Sequence, residues 1–268
     1  MRLIAMLCAV AQLFGISSPK TNELNAAFTP DGRTVYFTRT STQKIGVIYA
    51  SRLLAGKRWS TPGQASFSGR FSDFDPFVTP DGSRLFFISN RPHSGTPKTD
   101  YDLWFVERTA SGWSEPRDIA AANSDRDELY PAVAADGTLY FSSCGRPDSK
   151  GRCDLYRSRL IDGEYAAPEN LGAPLNTPAS ETDAWIAPDQ SRLIFTAYDR
   201  PGQPGDGDLY VSDFYDGSWS EPRLLGDHIN TSAREYCPIV SPDGATFYFT
   251  RQKDGLGDVR WIRMEGVR

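Results

Sequence analysis

The sequence predicts an all-β fold, a five-bladed β-propeller of four-stranded antiparallel blades whose ring is closed by an N-terminal strand. The chain carries 23 Gly and 19 Pro in 268 residues, which is typical of many short strands joined by turns. A turn motif also recurs five times along the chain, which indicates a repeat architecture. No segment combines a sustained apolar period of about 3.6 residues with helix caps, so helices are not expected.

The recurring turns define the repeat unit. Each turn has a central Asp, and successive Asp residues are separated by 50, 55, 53 and 54 positions. In this motif Pro presets φ, Asp bonds its own backbone and Gly supplies a positive φ. The five copies are Pro30-Asp31-Gly32, Pro80-Asp81-Gly82, Ala135-Asp136-Gly137, Pro188-Asp189-Gln190 and Pro242-Asp243-Gly244.

Four strands are predicted around each turn. A short strand leads into the turn, as in residues 235–240, and two apolar, aromatic strands follow it. Such near-continuous β-branched and aromatic runs suit strands covered on both faces. A fourth segment opens with Trp59-Ser60-Thr61-Pro62 or a similar motif, and its Pro suits an outer edge strand that must not pair further. The two apolar strands of the five units lie at 34–38 and 47–51, 84–89 and 102–106, 138–143 and 154–158, 192–197 and 208–212, and 246–250 and 258–262.

The fifth unit ends before its outer strand. Counting back from Pro30 as from Pro242 places residues 11–16 where residues 223–228 lie. We therefore expect the N-terminal segment to complete the last blade and to latch the ring, which removes an exposed edge.

The N-terminal residues support two interpretations. Arg2 is followed by an apolar run over residues 3–11, and Ala9-Val10-Ala11 is typical of the cleavage site of a secretory signal. The alternative is that these residues form a buried strand. Both interpretations hold if only part of the apolar run is cleaved off. We thus expect a short signal or part of the closing strand in residues 1–11, and a single propeller domain in residues 12–268.

The cysteines and histidines predict no metal site. Cys144 and Cys153 flank eight residues between two predicted strands, a spacing that can close a hairpin disulfide in an oxidising compartment. Two unlinked thiols are the alternative. The sequence has no paired CxxC motifs, and His93 and His228 stand alone, so a zinc site is not expected.

Composition and motifs exclude several function classes. With 29 Lys and Arg against 34 Asp and Glu, the formal net charge is −5, which argues against a nucleic-acid partner. The N-terminal apolar run is too short to span a bilayer. There is no G-x-S-x-G, Gly-rich phosphate loop or HExxH motif. We expect a monomer without cofactor, more a binding protein than an enzyme.

The repeat also resembles a known family. The unit reads E-x-x-P-x-x-x-PDG, an aromatic strand, Asp-Leu-Tyr, W-S-x-P and L-G-x-x-[IL]-N-[ST], and residues 180–213 and 235–249 show it best. This pattern resembles the TolB-type, WD-like β-propeller repeat. The resemblance implies an exported, commonly periplasmic protein that acts as a protein-interaction scaffold. Propellers of this family often have six or more blades, and the five copies here depart from that number.

An acid stands seven positions before the first residue of every turn motif. In a propeller this places five carboxylates near the axis, where they could form a ring that attracts a cation or a basic side chain of a partner. The alternative is that each acid bonds backbone or an Arg in the next blade and ties the units together. The five acids are Glu23, Asp73, Glu128, Glu181 and Glu235.

An Arg also recurs after the first apolar strand of each unit. In four units an Asp opens the next strand, and a bidentate pair between the two would set the register of that hairpin. The residues are Arg39, Arg91, Arg146, Arg200 and Arg251, and the Asp residues are Asp102, Asp154, Asp208 and Asp258.

Irregular features are the stronger functional candidates. The loops at residues 90–100 and 197–206 are long, polar and rich in Gly and Pro, and binding residues are often found on such loops. Aromatic residues near the acids suit a peptide hot spot or sugar stacking, with core packing as the alternative. The predicted function is non-catalytic binding of a protein or peptide at the axial mouth and the long loops. The predicted binding residues are Asp73, Glu128, Tyr130, Glu181, Trp185, Glu235 and Tyr236.

A glycan-binding or glycan-cleaving propeller is the alternative function. A glycosidase needs only two carboxylates about 5–10 Å apart, and Asp73, Glu128 and Glu181 could in principle serve. Equivalent acids in every repeat argue against this, because a general acid and a nucleophile need different environments.

Overall fold

A computed structural model describes residues 11–12, 21–40, 45–55, 58–93 and 98–267. These residues form five antiparallel sheets of four or five strands arranged in a ring, together with one separate two-stranded hairpin, which confirms the predicted five-bladed β-propeller. Among them, the single helical segment is the 3-10 turn Met264–Gly266, and no helix is long and apolar enough to cross a membrane.

Strands are numbered in chain order, and β1 is Ala11–Gln12. Blade 1 contains β2–β5, which are Asn22–Phe28, Thr34–Thr40, Gly46–Arg52 and Gly63–Gln64. Blade 2 contains β6–β10, which are Asp73–Val78, Arg84–Ser89, Asp102–Thr109, Gly112–Trp113 and Arg117–Asp118. Blade 3 contains β11–β16, which are Glu128–Val133, Leu139–Cys144, Cys153–Ser158, Leu160–Ile161, Glu164–Tyr165 and Glu169–Asn170.

Blade 4 contains β17–β21, which are Ser180–Ile186, Arg192–Tyr198, Asp208–Tyr215, Ser218–Trp219 and Arg223–Leu224. Blade 5 contains β22–β24, which are Arg234–Val240, Thr246–Lys253 and Leu256–Arg263. The first strand of each blade is the innermost, and β2, β6, β11, β17 and β22 contact one another in succession around the ring. The aromatic strand that follows supplies the blade core, where Phe86, Phe141 and Phe195 are fully buried.

The ring closes as predicted. Strand β1 runs antiparallel to β24, with Ala11 opposite Trp261 and Gln12 opposite Arg260, and so completes blade 5. The predicted signal segment comprises residues 1–11, of which residues 1–10 lie outside the described residues, as does the rest of the predicted closing strand.

The outer edges of blades 2 and 4 differ from the continuous strand that the sequence predicts. Strand β8 pairs with two short strands, β9 and β10, which lie on either side of Pro116. Likewise β19 pairs with β20 and β21 on either side of Pro222. Pro has no backbone N–H to donate, so pairing stops there and each edge remains short.

The turns adopt the conformation that their motif predicts. Gly32, Gly82, Gly137 and Gly244 have φ between 64° and 87°, and Gln190 takes the same conformation at φ 60°. The Gln190 side chain accepts a bond from the Tyr140 hydroxyl and donates one to Asp136 Oδ2, both at 2.8 Å. Gln190 therefore links blade 4 to blade 3, a contact that Gly could not make.

Candidate functional site

The five predicted acids are the first or second residues of the inner strands, and each pairs with the recurring Arg of its own blade. The carboxylate–guanidinium distances are 2.7–2.9 Å. In β2 and β22 each acid stands directly opposite its Arg, as Glu23 does opposite Arg39. The five pairs are Glu23–Arg39, Asp73–Arg91, Glu128–Arg146, Glu181–Arg200 and Glu235–Arg251.

The predicted pairing of these arginines with the Asp residues of the third strand is therefore wrong. In each of these four blades the Arg lies between the inner strand and the third strand. Its guanidinium binds the acid of the inner strand and not the Asp of the third strand. The third-strand carboxylates bind other groups. Asp154 accepts the backbone N–H groups of Lys150 and Gly151, and Asp208 accepts that of Gly205.

The acids also fasten the connection that enters each blade. Glu128 accepts the backbone N–H and the hydroxyl of Ser124, at 2.9 and 2.6 Å, and Arg146 donates to the carbonyl of Ala122. Glu181 and Glu235 bind Thr177 and Thr231 in the same way. Each unit of acid, Arg and hydroxyl thus holds the segment between one blade and the next.

Burial separates these acids from solvent. Asp73, Glu128, Glu181 and Glu235 are 0% exposed. Burial raises the pKa of Glu128 and Glu181, while the Ser or Thr hydroxyl and the Arg charge oppose that rise. This geometry matches the alternative in which the acids tie the units together, except that the Arg belongs to the same blade. A direct contact with a partner stays a prediction for these four residues.

A second ring, which the sequence reasoning missed, lies two residues after each acid. All five residues at this position have φ of 51–54°, and the pairing of the inner strand with its neighbour shifts register there. We call them the axial ring: Asn25, Asp75, Tyr130, Asp183 and Cys237. Asn and Asp tolerate left-handed φ better than other non-glycine residues. For three of the five residues this conformation could therefore have been suspected from the sequence.

The axial ring contains two buried carboxyl groups. Asn25 Nδ2 donates to Asp75 Oδ1 at 3.1 Å. Asp183 Oδ2 accepts the backbone N–H of Cys237 at 3.1 Å and the hydroxyl of Thr196 at 3.0 Å, and Asp183 Oδ1 has no partner. Burial raises the pKa of Asp183 to about 6, and burial together with the nearby Asp183 charge raises the pKa of Asp75 well above its usual range. The space beside Asp183, which Asn25, Tyr130 and Cys237 also line, has a volume of about 20 Å³, enough for about one water molecule.

A wide groove opens on one side of the axial ring, next to the starts of the inner strands of blades 3, 4 and 5. Its volume is about 960 Å³, and Tyr130 lines both the groove and the axial constriction. Tyr198, Asp199 and Asp206 of the long loop at residues 197–206 also line it. We call this groove the polar mouth, and its polar or aromatic lining residues are Tyr130, Arg152, Thr177, Ser180, Thr182, Tyr198, Asp199, Arg200, Asp206, Tyr210 and Arg234.

The other side of the channel is apolar. A cavity of about 330 Å³ lies among the turns and is lined by Phe28, Phe77, Trp185 and Ile239 together with turn prolines. We call it the turn-side mouth. The three predicted aromatic binding residues therefore do not share one mouth, although Tyr130 and Trp185 both line the axial constriction. Tyr130 lies at the polar mouth and Trp185 at the turn-side mouth, while Tyr236 is 8% exposed and buried.

The channel offers no recognisable metal centre. Within the described part of the chain, no group of three or more His, Cys, Asp or Glu side chains is placed to hold a metal ion. Cys144 and Cys153 form a disulfide between β12 and β13, beside Arg152 in the polar mouth. Among the described residues Cys237 is the free cysteine, and it is buried.

No protein-family model matches the chain, and no curated protein sequence matches it. Solved structures do share its fold. The putative TolB from Agrobacterium tumefaciens is 18% identical with a TM-score of 0.60, over 97% of this chain and 85% of that one. TolB from Acinetobacter baumannii is 15% identical with a TM-score of 0.59, over 94% and 57%. The GH43 endo-arabinanase from Bacillus licheniformis is 11% identical with a TM-score of 0.59, over 94% and 98%. At these identities the likeness establishes a propeller scaffold shared by TolB proteins and glycoside hydrolases, and nothing finer.

Proposed function

We propose that this chain is an exported propeller of the TolB type that binds a protein, through a peptide segment, in the polar mouth. The observation that carries the proposal is the groove itself. It is large enough for several residues, it is open, and it combines aromatic rings with charges of both signs. Such a mixture suits a peptide, whose backbone is polar and whose side chains vary.

The position of the groove also supports the proposal. It is built where the repeats differ, from the long loop at residues 197–206 and from side chains that have no counterpart in other blades. Loops on a rigid scaffold are a common place for binding residues. The TolB structures in the comparison supply the analogy to an exported protein. The Cys144–Cys153 disulfide suits an oxidising compartment.

Of the seven predicted binding residues, Tyr130 is the one that lines this groove. We propose Tyr198 as the principal anchor, since the ring of Tyr198 lies under the Arg234 guanidinium at 4.9 Å. Truncating an aromatic hot spot costs about 2 kcal/mol or more in binding, which is roughly a thirtyfold loss of affinity.

A library of random twelve-residue peptides, displayed once with free C-termini and once with both ends tethered, tests the proposal. We expect the wild-type protein to retain peptides that Tyr198→Ala binds roughly thirtyfold more weakly. Tyr215→Ala is the matched control, because Tyr215 is 61% exposed and lies outside the groove. Failure to retain any peptide, or equal binding by Tyr198→Ala, would overturn the proposal.

A glycan-active propeller is the second candidate, and the carboxyl pair Asp75 and Asp183 is the observation in its favour. Two acids whose pKa values are raised to different extents are a feature of acid–base catalysis. The space beside Asp183 admits about one water molecule and no sugar ring, which favours the peptide proposal. A panel of polysaccharides with a reducing-sugar readout decides between the two, since turnover that Asp183→Asn abolishes would favour an enzyme.

A further inference from the structure

Arg234 lacks a hydrogen bond that equivalent residues in other blades make to the preceding blade. The position immediately before the inner-strand acid is occupied elsewhere by small polar residues, which are Asn22, Ser72, Asp127 and Ser180. Three of these accept a backbone N–H from the third strand of the preceding blade or the residue before that strand, at 2.9–3.1 Å. An Arg side chain has no acceptor atom, so Arg234 cannot make this bond.

The guanidinium of Arg234 is nevertheless held in place. It lies 4.9 Å from the centre of the Tyr198 ring and is half-buried. Gly207 makes room for both side chains, because a Cβ there would come within 2.5 Å of Tyr198 Cε1 and 3.2 Å of Arg234 Cγ. A guanidinium that stacks on a tightly packed aromatic ring is pre-organised for binding.

The hydrogen-bonding capacity of Arg234 is not filled. Its Nε is buried without a partner, and among the described residues no carboxylate forms an ion pair with it. Its charge acts on Asp183 and lowers the pKa of that group against the larger effect of burial, but the two do not pair. A guanidinium with free donors beside an aromatic ring is suited to a planar anion, which it can bind in bidentate fashion.

We propose that Arg234, stacked on Tyr198, binds the C-terminal carboxylate of the peptide that enters the polar mouth. This inference rests on the proposed function and names the group that the site recognises. Arg152, which also lines the groove and is exposed, adds a second positive charge.

The rim of the groove favours a peptide over an acidic sugar chain. Asp199 and Asp206 are exposed on the long loop and face the same groove. A chain of uronic acids carries a negative charge on every unit and would be repelled by these two carboxylates. A peptide presents one terminal carboxylate, and its preceding residues can be basic or neutral. It is therefore compatible with both the arginines and the aspartates of the groove.

The test uses one selected peptide in two forms, with a free C-terminal carboxylate and with a C-terminal amide. Each is titrated by fluorescence anisotropy against the wild type, Arg234→Gln and Arg108→Gln. Arg108 is the matched control, since its guanidinium also stacks on an aromatic ring, Trp113 at 5.0 Å, but lies outside the groove. Melting temperatures establish that each variant is folded.

We expect amidation to weaken binding to the wild type and to Arg108→Gln by about tenfold or more, as for a lost charge-assisted hydrogen bond. Arg234→Gln should bind both forms equally weakly. If peptides bind but both forms bind the wild type equally, this inference is overturned while the proposed function stands. If no peptide binds in either form, both fail, and Arg234-dependent binding of a galacturonic-acid trisaccharide in their place would assign the site to acidic glycans.

Discussion

The substitution Asp183→Asn tests the electrostatics of the axial ring, on which the alternative enzymatic function depends. The Asp183 side chain is buried, accepts bonds from Cys237 and Thr196 through one oxygen, and leaves the other oxygen without a partner. Burial raises its pKa from 3.8 to about 6. The folded protein therefore holds this proton more tightly than the unfolded chain does.

The size and sign of the effect follow from this difference in pKa. At 1.36 kcal/mol for each pKa unit, the change from 3.8 to about 6 corresponds to about 3 kcal/mol. Because the folded-state pKa is the higher one, the free energy of unfolding falls as the pH rises from 3.8 through about 6. Above that range the full cost of burying the charge is present.

Asparagine keeps the two accepted hydrogen bonds through its carbonyl oxygen and carries no charge. We expect Asp183→Asn to raise the free energy of unfolding at pH 7.5 by up to about 3 kcal/mol and to change it little at pH 4. Urea unfolding at five pH values between 4 and 7.5 measures this. Asp125→Asn is the control, since that carboxylate is 90% exposed. A difference between Asp183→Asn and the wild type that does not grow with pH would contradict a raised pKa of Asp183 in the folded protein.

Three further predictions concern the blade junctions, the ring closure and the polar mouth. Glu128→Ala leaves its buried Arg partner unpaired and should lower the free energy of unfolding by about 3–5 kcal/mol in urea, whereas Glu169→Ala breaks an exposed pair and should cost about 1 kcal/mol or less. Deleting residues 1–18 should lower the melting temperature because it removes β1 from blade 5, and an unchanged melting temperature would contradict the ring closure. Gly207→Ala should displace Tyr198 and weaken peptide binding in anisotropy titrations, while Gly63→Ala, where a Cβ meets nothing within 4 Å, should not.

The fold could be predicted in detail because its signals are local and repeated. Each turn motif specifies a left-handed residue, and the aromatic strand after it specifies a buried sheet. The closing strand could be located by counting, since the fifth unit lacks its outer strand. The broken outer edges at Pro116 and Pro222 follow from the same chemistry, but whether pairing resumes after a Pro depends on the neighbouring strand.

The site was less accessible to sequence reasoning because it depends on register and on which residues meet across blades. The recurring Arg has acidic candidates on both flanking strands, and only the three-dimensional pairing shows that it binds Glu235 rather than Asp258. Tyr130 and Cys237 gave no hint of left-handed φ, so the axial ring was hidden. Arg234 could have been found, because it departs in charge from the four equivalent residues.

We propose that ligands bind at the polar mouth and not at the turn-side mouth. Photo-crosslinking tests it directly, with a selected peptide that carries a benzophenone side chain near its C-terminus and with mass spectrometry to locate the adducts. We predict adducts on Tyr198, Arg234 and their neighbours in the groove, lost when unlabelled peptide competes. Adducts on Phe28 or Val240, which line the turn-side mouth and neither the polar mouth nor the axial constriction, would contradict binding at the polar mouth.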